Sequence, residues 1–125
     1  MASMATVTIN IPIPPSANHI HAFARGRVRR SKNYQTWLTT CQFMLGKPGR
    51  VSGVVGVRVV IIGGKGWRSN RDLDNTLKPI LDLLRYLDII EEDNTGIVRR
   101  IEVTFQTPAT KKSDASVTVI VESML

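Results

Sequence analysis

Two carboxylates stand two residues apart in the stretch from 70 to 79, NRDLDNTLKP, although the formal net charge of the chain is +7. In an extended conformation Asp72 and Asp74 would point to the same side of the backbone. Converging carboxylates repel one another unless a cation lies between them, and hard oxygen ligands suit Mg²⁺ or Mn²⁺. The pair therefore predicts a divalent metal site. The alternative is that one aspartate caps the following helix while Arg71 pairs with the other.

Lys78 follows Asp74 by four residues and precedes Asp82 by four, so on a helix the three side chains would share one face. One interpretation is an ordinary ion pair within the helix. The other is a cation directed at a phosphate beside the metal. A calcium EF-hand loop is excluded, because its sixth and twelfth positions would be Leu77 and Leu83.

The overall charge indicates an anionic partner. Seventeen Lys and Arg residues outnumber ten Asp and Glu residues, and such an excess creates a long-range field that concentrates polyanions. Nucleic acid is the leading candidate, although some small basic proteins bind none. Residues 16–30 are expected to form a mobile basic arm. The residues expected to contact DNA phosphates are Arg25, Arg27, Arg29, Arg30, Lys32, Arg68 and Arg71.

Other classes of function lack their motifs. Residues 63–66, GGKG, do not complete a phosphate-binding GxxxxGK[ST] pattern, so no nucleotide cofactor is expected. Cys41 is the single cysteine, which favours a reducing compartment and a role as a small buried hydrophobe. No signal-peptide pattern and no run of about 18 apolar residues is present, so no membrane partner is expected. The expected location is cytoplasmic, with association to the nucleoid.

Four histidine and tryptophan residues lie outside these motifs. His19 and His21 have no third ligand nearby that would complete a zinc site, so they are expected in a loop near DNA. Trp37 falls on the apolar side of a predicted helix and is expected in the core. Trp67 follows a glycine-rich loop, where it would be either a core anchor or a platform for an unpaired base.

The helix after the aspartates is located by its apolar stripe and by Pro79. Inside a helix this proline would cost about 3 kcal/mol, whereas in the first turn its missing N–H has no helical partner to lose. The helix is therefore predicted to begin around Asn75 or Thr76 and to run to about Asp88. Both aspartates are expected in the approach just before it.

Strand patterns and one further helix complete the expected fold. The strands are predicted at residues 6–13, 52–62, 97–105 and 115–121, and the first helix at 31–45. The order β-α-β-α-β-β predicts an α/β (α+β) fold, a small mixed sheet with two helices on one or both faces. The last two strands are expected to pair as a hairpin, and prolines place the first strand at an edge. One domain over 1–125 is expected, with 1–5 as a flexible N-terminal extension.

The order of these motifs along the chain resembles the RusA family of Holliday-junction resolvases. In that family a proline-proline-serine segment follows the first strand, and a D-x-D-N-x-x-K-x-x-x-D motif is followed by an Asp in the turn after the helix. The resemblance spans roughly residues 6–122. The matching residues are Pro14, Pro15, Ser16 and Asn18, then Asp72, Asp74, Asn75, Lys78, Asp82 and Asp93.

The resemblance implies a metal-dependent endodeoxyribonuclease that resolves four-way DNA junctions by paired symmetric nicks in recombination and repair. It implies that Asp72, Asp74 and Asp93 bind Mg²⁺, with Mn²⁺ as a substitute, that Lys78 is an essential basic residue, and that the protein is a homodimer. Glu92 is an alternative to Asp93 in the acidic turn. Family members are often carried by phages and prophages. A non-catalytic junction-binding protein and a nuclease acting on other branched nucleic acids are the alternatives.

Overall fold

A computed structural model describes residues 3–16, 21–24, 27–108 and 112–125, with the side chains of 21–24 and 27–30 left out of the description. Over these residues the chain forms a four-stranded mixed sheet, a separate two-stranded sheet and two helices, which confirms the predicted α+β class. The elements are β1 (Thr6–Pro12), β2 (His21–Ala24), β3 (Arg27–Arg30), α1 (Lys32–Leu45), β4 (Val55–Ile62), α2 (Asp74–Tyr86), β5 (Val98–Gln106) and β6 (Ser116–Ser123).

The main sheet has the strand order β1-β6-β4-β5. Strand β4 is parallel to β5 and antiparallel to β6, which in turn is antiparallel to β1. The predicted hairpin between the last two strands is therefore wrong, because β5 and β6 flank β4 on opposite sides. Helix α2 forms the crossover connection between the parallel strands β4 and β5. Strand β6, with its buried valines, lies between β1 and β4. Strand β1 lies at an edge, as its prolines predict.

The core lies on one face of this sheet. Alternate residues of β1, β4 and β6 are buried, and they form one continuous apolar cluster with the buried residues of both helices. The positions in register across the three strands include Ile9, Val119 and Val59. The helices therefore pack on the same side, and the opposite face carries exposed residues such as Thr8 and Arg58.

Helix α1 has the ends that its sequence predicts. The Ser31 hydroxyl accepts a hydrogen bond from the Tyr34 N–H at 3.1 Å, and the chain leaves the helix at Gly46, where φ is 61°. Trp37 is buried as expected, and its indole N–H donates to the Pro12 carbonyl at 3.0 Å. Desolvation raises the pKa of the buried Cys41 thiol to about 12, so this thiol stays protonated at neutral pH.

Helix α2 begins slightly earlier than predicted, at Asp74, and ends at Tyr86. Pro79 is therefore the sixth residue of the helix, and the prediction that this proline lies in the first turn is wrong. Its ring is buried with Ile80, and this packing offsets the helical hydrogen bond that the missing N–H leaves unmade. Asp72 still precedes the helix, whereas Asp74 is its first residue.

The predicted basic arm contains regular structure. Strands β2 and β3 pair antiparallel, from His21 with Arg30 to Ala24 with Arg27, so the expectation of an irregular loop is wrong over these strands. Phenylalanine and valine, two strong β-formers, are register partners at the centre of the pair. The predictions made for Asn18, His19 and Arg25 lie outside the described residues.

The described part of the predicted N-terminal extension is hydrogen-bonded to the rest of the chain. The Met4 N–H donates to the Arg50 carbonyl at 2.7 Å, and the Ser3 hydroxyl accepts from the Ser52 N–H at 3.0 Å. These contacts differ from the free extension that was expected for residues 3–5. No helix within the described ranges is long and apolar enough to cross a membrane.

Candidate functional site

Two carboxylates near the N-terminal end of α2 have no cationic partner among the residues that the structure describes. Asp72 and Asp74 are both exposed, and neither forms an ion pair with another described residue. Leu73, in helical backbone geometry, occupies the capping position, and no side chain caps the helix there. The alternative in which the aspartates serve as a cap and as a partner of Arg71 therefore finds no support in these contacts.

The acidic turn after α2 brings a third carboxylate back to the same helix. Lys78 Nζ lies 3.0 Å from Asp82 Oδ1 and 3.5 Å from Asp93 Oδ2. The hydrogen bond to Asp82 and the charges of both carboxylates raise the pKa of Lys78. Desolvation alone would raise the pKa of Asp93, but the charges of Lys78 and Arg85 outweigh it and lower that pKa. Asp93 is thus favoured in its ionised form beside Lys78. Lys78 itself lies one helical turn after Asp74.

The return of the chain depends on a reversal directly after α2. Asp88 has a φ of 59°, a left-handed conformation that ends the helix direction. Ile89 and Ile90 then enter the core, where they are 0% and 1% exposed. The Ile89 N–H donates to the Leu84 carbonyl at 2.9 Å, and the Ile89 carbonyl accepts from the Val51 N–H at 2.8 Å. Burial of these two isoleucines directs the acidic turn back along the helix.

Asp82 is held from two sides. One oxygen contacts Lys78, and the other accepts a hydrogen bond from the Tyr34 hydroxyl at 3.1 Å. Sequence reasoning gave neither Asp82 nor Tyr34 a role in the site. The spacing between Lys78 and Asp82 was visible, but the contact from Tyr34 joins two helices and has no sequence signal. Tyr34 is buried, being 2% exposed, so its hydroxyl reaches Asp82 from the core side of α1.

The other two acidic residues of the turn point elsewhere. Glu92 Oε1 lies 3.0 Å from Arg85 Nη1, and it also accepts from the Asp93 N–H at 3.3 Å. Glu91 accepts from the Gly53 N–H at 3.1 Å. Of the carboxylates described in this turn, Asp93 alone is within ion-pair distance of the Lys78 ammonium group. The contacts thus favour Asp93 over Glu92 as the residue that belongs with the site.

The proline-proline-serine segment lies beside the aspartates. The Arg71 guanidinium donates to the Pro14 carbonyl at 2.7 Å, which ties this segment to the approach to α2 across 57 residues of sequence. An open cleft of about 550 Å³, here called the acidic cleft, lies between them. Its lining residues are Ser16, Gly66, Arg68, Asn70, Arg71, Asp72 and Asn75. Two distant segments of the chain therefore form one concave surface.

The residues expected to contact DNA lie in different settings. Arg68 is exposed at the acidic cleft, and Lys32 is exposed at the start of α1. Arg71 is half-buried, with its guanidinium 4.9 Å from the Trp67 ring centroid, and desolvation lowers its pKa. Its described contacts are internal, so a phosphate contact stays a prediction. Strand β3 contains Arg27, Arg29 and Arg30.

The three predicted metal ligands do not form a ready-made cage. Among the described residues, no group of three or more His, Cys, Asp or Glu side chains converges to hold a metal ion. Asp93 is held at Lys78. The donor chemistry of Asp72 and Asp74 nevertheless fits a hard divalent cation, because their oxygens are exposed and have no cationic partner in the described chain.

In comparisons with known proteins, no protein-family model and no curated protein matches the chain. The resemblance to the RusA family therefore depends on the motif pattern alone. Residues from separate motif segments, Ser16 on one side and Asp72 and Asn75 on the other, line the same cleft.

Proposed function

We propose that the protein is a metal-dependent, structure-selective endodeoxyribonuclease of the RusA type that cuts four-way DNA junctions. The observation that carries this proposal is the acidic cleft. It combines Ser16, Arg68 and Asp72 on one surface, next to a helix on which Lys78 contacts Asp93. Opposite charges in one open cleft suit a site that must bind both a cation and a phosphate.

The metal ligands would be Asp72, Asp74 and Asp93, with Mg²⁺ as the preferred ion and Mn²⁺ as a substitute. A bound divalent cation supplies a more acidic water and neutralises charge on the phosphodiester. Asp72 and Asp74 offer their oxygens without breaking an ion pair to another described residue. In this structure Asp93 Oδ2 lies 3.5 Å from Lys78 Nζ, and the three carboxylates do not converge.

Lys78 would stabilise the negative charge that develops on the phosphate during hydrolysis. Its side chain is 54% exposed, so it can reach a bound strand while Asp82 contacts it at 3.0 Å. Tyr34 in turn fixes Asp82 by a hydrogen bond. In this arrangement Asp82 and Tyr34 are positioning residues, which act through the orientation of Lys78.

The basic surface would bind the sugar-phosphate backbone. Arg68 lies at the acidic cleft, Lys32 begins α1, and the arginines of β3 directly precede that helix in sequence. Phosphate contacts of this kind give affinity without sequence readout. A two-fold homodimer would match the symmetry of a four-way junction, which needs two nicks. We assign this activity to the cytoplasm, at the nucleoid.

A non-catalytic junction-binding protein is the main alternative. Phosphate binding alone would favour the loss of exposed carboxylates from a basic surface, yet Asp72 and Asp74 are present and have no cationic partner in the described chain. This observation favours the nuclease. A nuclease acting on other branched nucleic acids would use the same residues, so the choice of substrate has to be made by assay.

The test compares cleavage of a four-way junction, a flap and a linear duplex, with and without Mg²⁺. We expect Mg²⁺-dependent, paired nicks on the junction. Asp74→Asn should reduce the rate by at least about a hundredfold, since several kcal/mol of transition-state stabilisation depend on the metal. Asp88→Asn is the matched control, because Asp88 is exposed in the turn and Asn also tolerates its left-handed backbone.

Two outcomes would contradict the proposal. One is a folded Asp74→Asn variant that keeps the full Mg²⁺-dependent rate. The other is wild-type protein that binds the junction without cutting it in Mg²⁺ or Mn²⁺, which would favour the non-catalytic alternative.

A further inference from the structure

A second cleft lies beside the acidic cleft and differs from it in chemistry. Its volume is about 380 Å³, within the range of about 300–1,000 Å³ that is usual for small-molecule sites. We call it the aromatic cleft. Its lining residues are Gly63, Gly64, Trp67, Ser69, Arg71, Leu73, Phe105 and Pro108. Arg71 lines both clefts, so the two sites share a wall.

The walls of the aromatic cleft include an open ring surface. Phe105, on the edge strand β5, is 44% exposed, and its ring centroid lies 5.4 Å from that of Trp67. The ring rests against the backbone of Gly63, where an added Cβ would come within 2.7 Å of the ring carbon Cζ. The absence of a side chain at Gly63 thus lets Phe105 lie close to the sheet. An exposed aromatic ring in a cleft is typical of a binding surface.

The approach to α2 connects the two clefts. Asp72 lines the acidic cleft, and the next residue, Leu73, lines the aromatic cleft with 38% of its surface exposed. A group bound at the Asp72 carboxylate is therefore one residue away from an apolar surface. A nucleotide has the same division, since its phosphate is charged and its base has an apolar face.

We propose that the aromatic cleft binds one unpaired nucleobase next to the scissile phosphate, stacked on Phe105. The inference rests on the proposed function, for which it names the feature of the substrate that is recognised. Charge favours this occupant, because Arg71 lies at the shared wall and the chain has a net charge of +7. Ser69 provides a hydroxyl at the cleft for the polar edge of a base.

The test uses a four-way junction with 2-aminopurine, a fluorescent base, at the crossover. Binding is measured in EDTA, so the signal does not depend on cleavage. We expect wild-type protein to quench the emission at the crossover and to leave 2-aminopurine in the middle of an arm unchanged. Phe105→Leu should abolish most of the quenching and weaken binding by about tenfold, because it keeps an apolar side chain against Gly63 but removes the stacking surface.

The matched control is Phe43→Leu, the same substitution at a residue of α1 that is 91% exposed and lies outside both clefts. We expect this variant to quench and bind like wild type. The comparison of crossover with arm needs no variant, so it still tests the inference if Phe105→Leu folds poorly.

Several outcomes would overturn the inference. The inference would be wrong if the emission did not change although the complex forms, or if wild type and folded Phe105→Leu quenched it equally. Either result would be compatible with Mg²⁺-dependent cleavage, so it would leave the proposed function intact. Self-association that Phe105→Leu abolishes, with unchanged emission, would instead assign the cleft to a second copy of the chain. A different outcome, quenching that needs Phe105 in a protein that never cuts, would support the base site and contradict only the proposed nuclease activity.

Discussion

Carboxylates lie at both ends of helix α2, but the two groups differ in whether the described part of the protein gives them hydrogen-bond or ion-pair partners. At the N-terminal end, Asp72 and Asp74 are exposed and have no cationic partner among the described residues. In the turn beyond the C-terminal end, each carboxylate is held by the protein: Asp88 by Arg50, Glu91 by Arg50 and the Gly53 N–H, Glu92 by Arg85, and Asp93 by Lys78. The fold itself neutralises the second group and leaves the first group accessible to an external cation.

Stability does not explain this difference. Exposed ion pairs contribute about 0–1 kcal/mol, so the pairs of the turn stabilise the fold only modestly. Carboxylates near a helix N-terminus gain about 0.3–1 kcal/mol from the helix dipole, which is similar in size to the repulsion between neighbouring charges. The contrast between the two ends is instead in how available their carboxylates are to a metal ion.

The largest expected effect is on metal binding. Asp72→Asn/Asp74→Asn should weaken Mn²⁺ and Mg²⁺ binding by about a hundredfold or more, because two of the three proposed ligands are lost. The matched variant Glu91→Gln/Glu92→Gln also removes two negative charges, but from carboxylates that the protein already neutralises. It should bind metal within about threefold of wild type. Isothermal titration calorimetry measures both affinities.

Equal losses in the two double variants would contradict the comparison. They would mean that the metal responds to the overall acidic charge of α2 and its turn, and that the N-terminal pair has no special role. A loss confined to the turn variant would move the site to the opposite end of the helix.

An intermediate effect is expected at Lys78, the basic residue of α2 that lies between the two groups of carboxylates. Lys78→Gln should lower the rate of junction cleavage by about tenfold to a hundredfold, since one charge-stabilising donor is lost from the reaction. Arg85→Gln is the matched control, because Arg85 lies on the same helix and pairs with Glu92. We expect it to cut at nearly the wild-type rate. Similar losses in both variants, measured on folded proteins, would make Lys78 one basic residue among several.

Much of the fold could be predicted because it depends on local patterns. The apolar stripe of α2 and the prolines at the end of β1 are local features, and the helix and the edge strand that they predict are both present. The pairing of β5 was not, because adjacency in sequence favours a hairpin while the crossover through α2 favours β4. The start of α2 was predicted slightly too late, since burial of Pro79 overrides its cost in a helix.

The candidate site could be predicted only in part, for a similar reason. The spacing of Asp72, Asp74 and Lys78 is visible in one short motif. The return of Asp93 to Lys78 depends on the burial of two isoleucines in the turn, and the hydrogen bond from Tyr34 to Asp82 spans 48 residues. Such contacts are set by packing between elements, which no local pattern encodes.

The smallest expected effect concerns the stability of the acidic turn at different pH values. The pKa of Asp93 is lowered in the folded protein, because the charges of Lys78 and Arg85 outweigh desolvation. The folded state therefore binds this proton less readily than the unfolded chain, whose Asp pKa is about 3.9. The resulting stabilisation is fully present above the unfolded value, and it is lost as the pH falls through the lower folded value.

Asp93→Asn should accordingly lower the free energy of unfolding by about 0.5 kcal/mol at pH 7, a size typical of a partly exposed pair. The difference from wild type should shrink as the pH falls from about 3.9 through the lower folded pKa, below which wild-type Asp93 is protonated in both states. Urea denaturation across this range measures it. A difference that persists unchanged in acid would mean that Asp93 acts through neutral hydrogen bonds. In that case its pairing with Lys78 would not be what distinguishes the turn from the N-terminal aspartates.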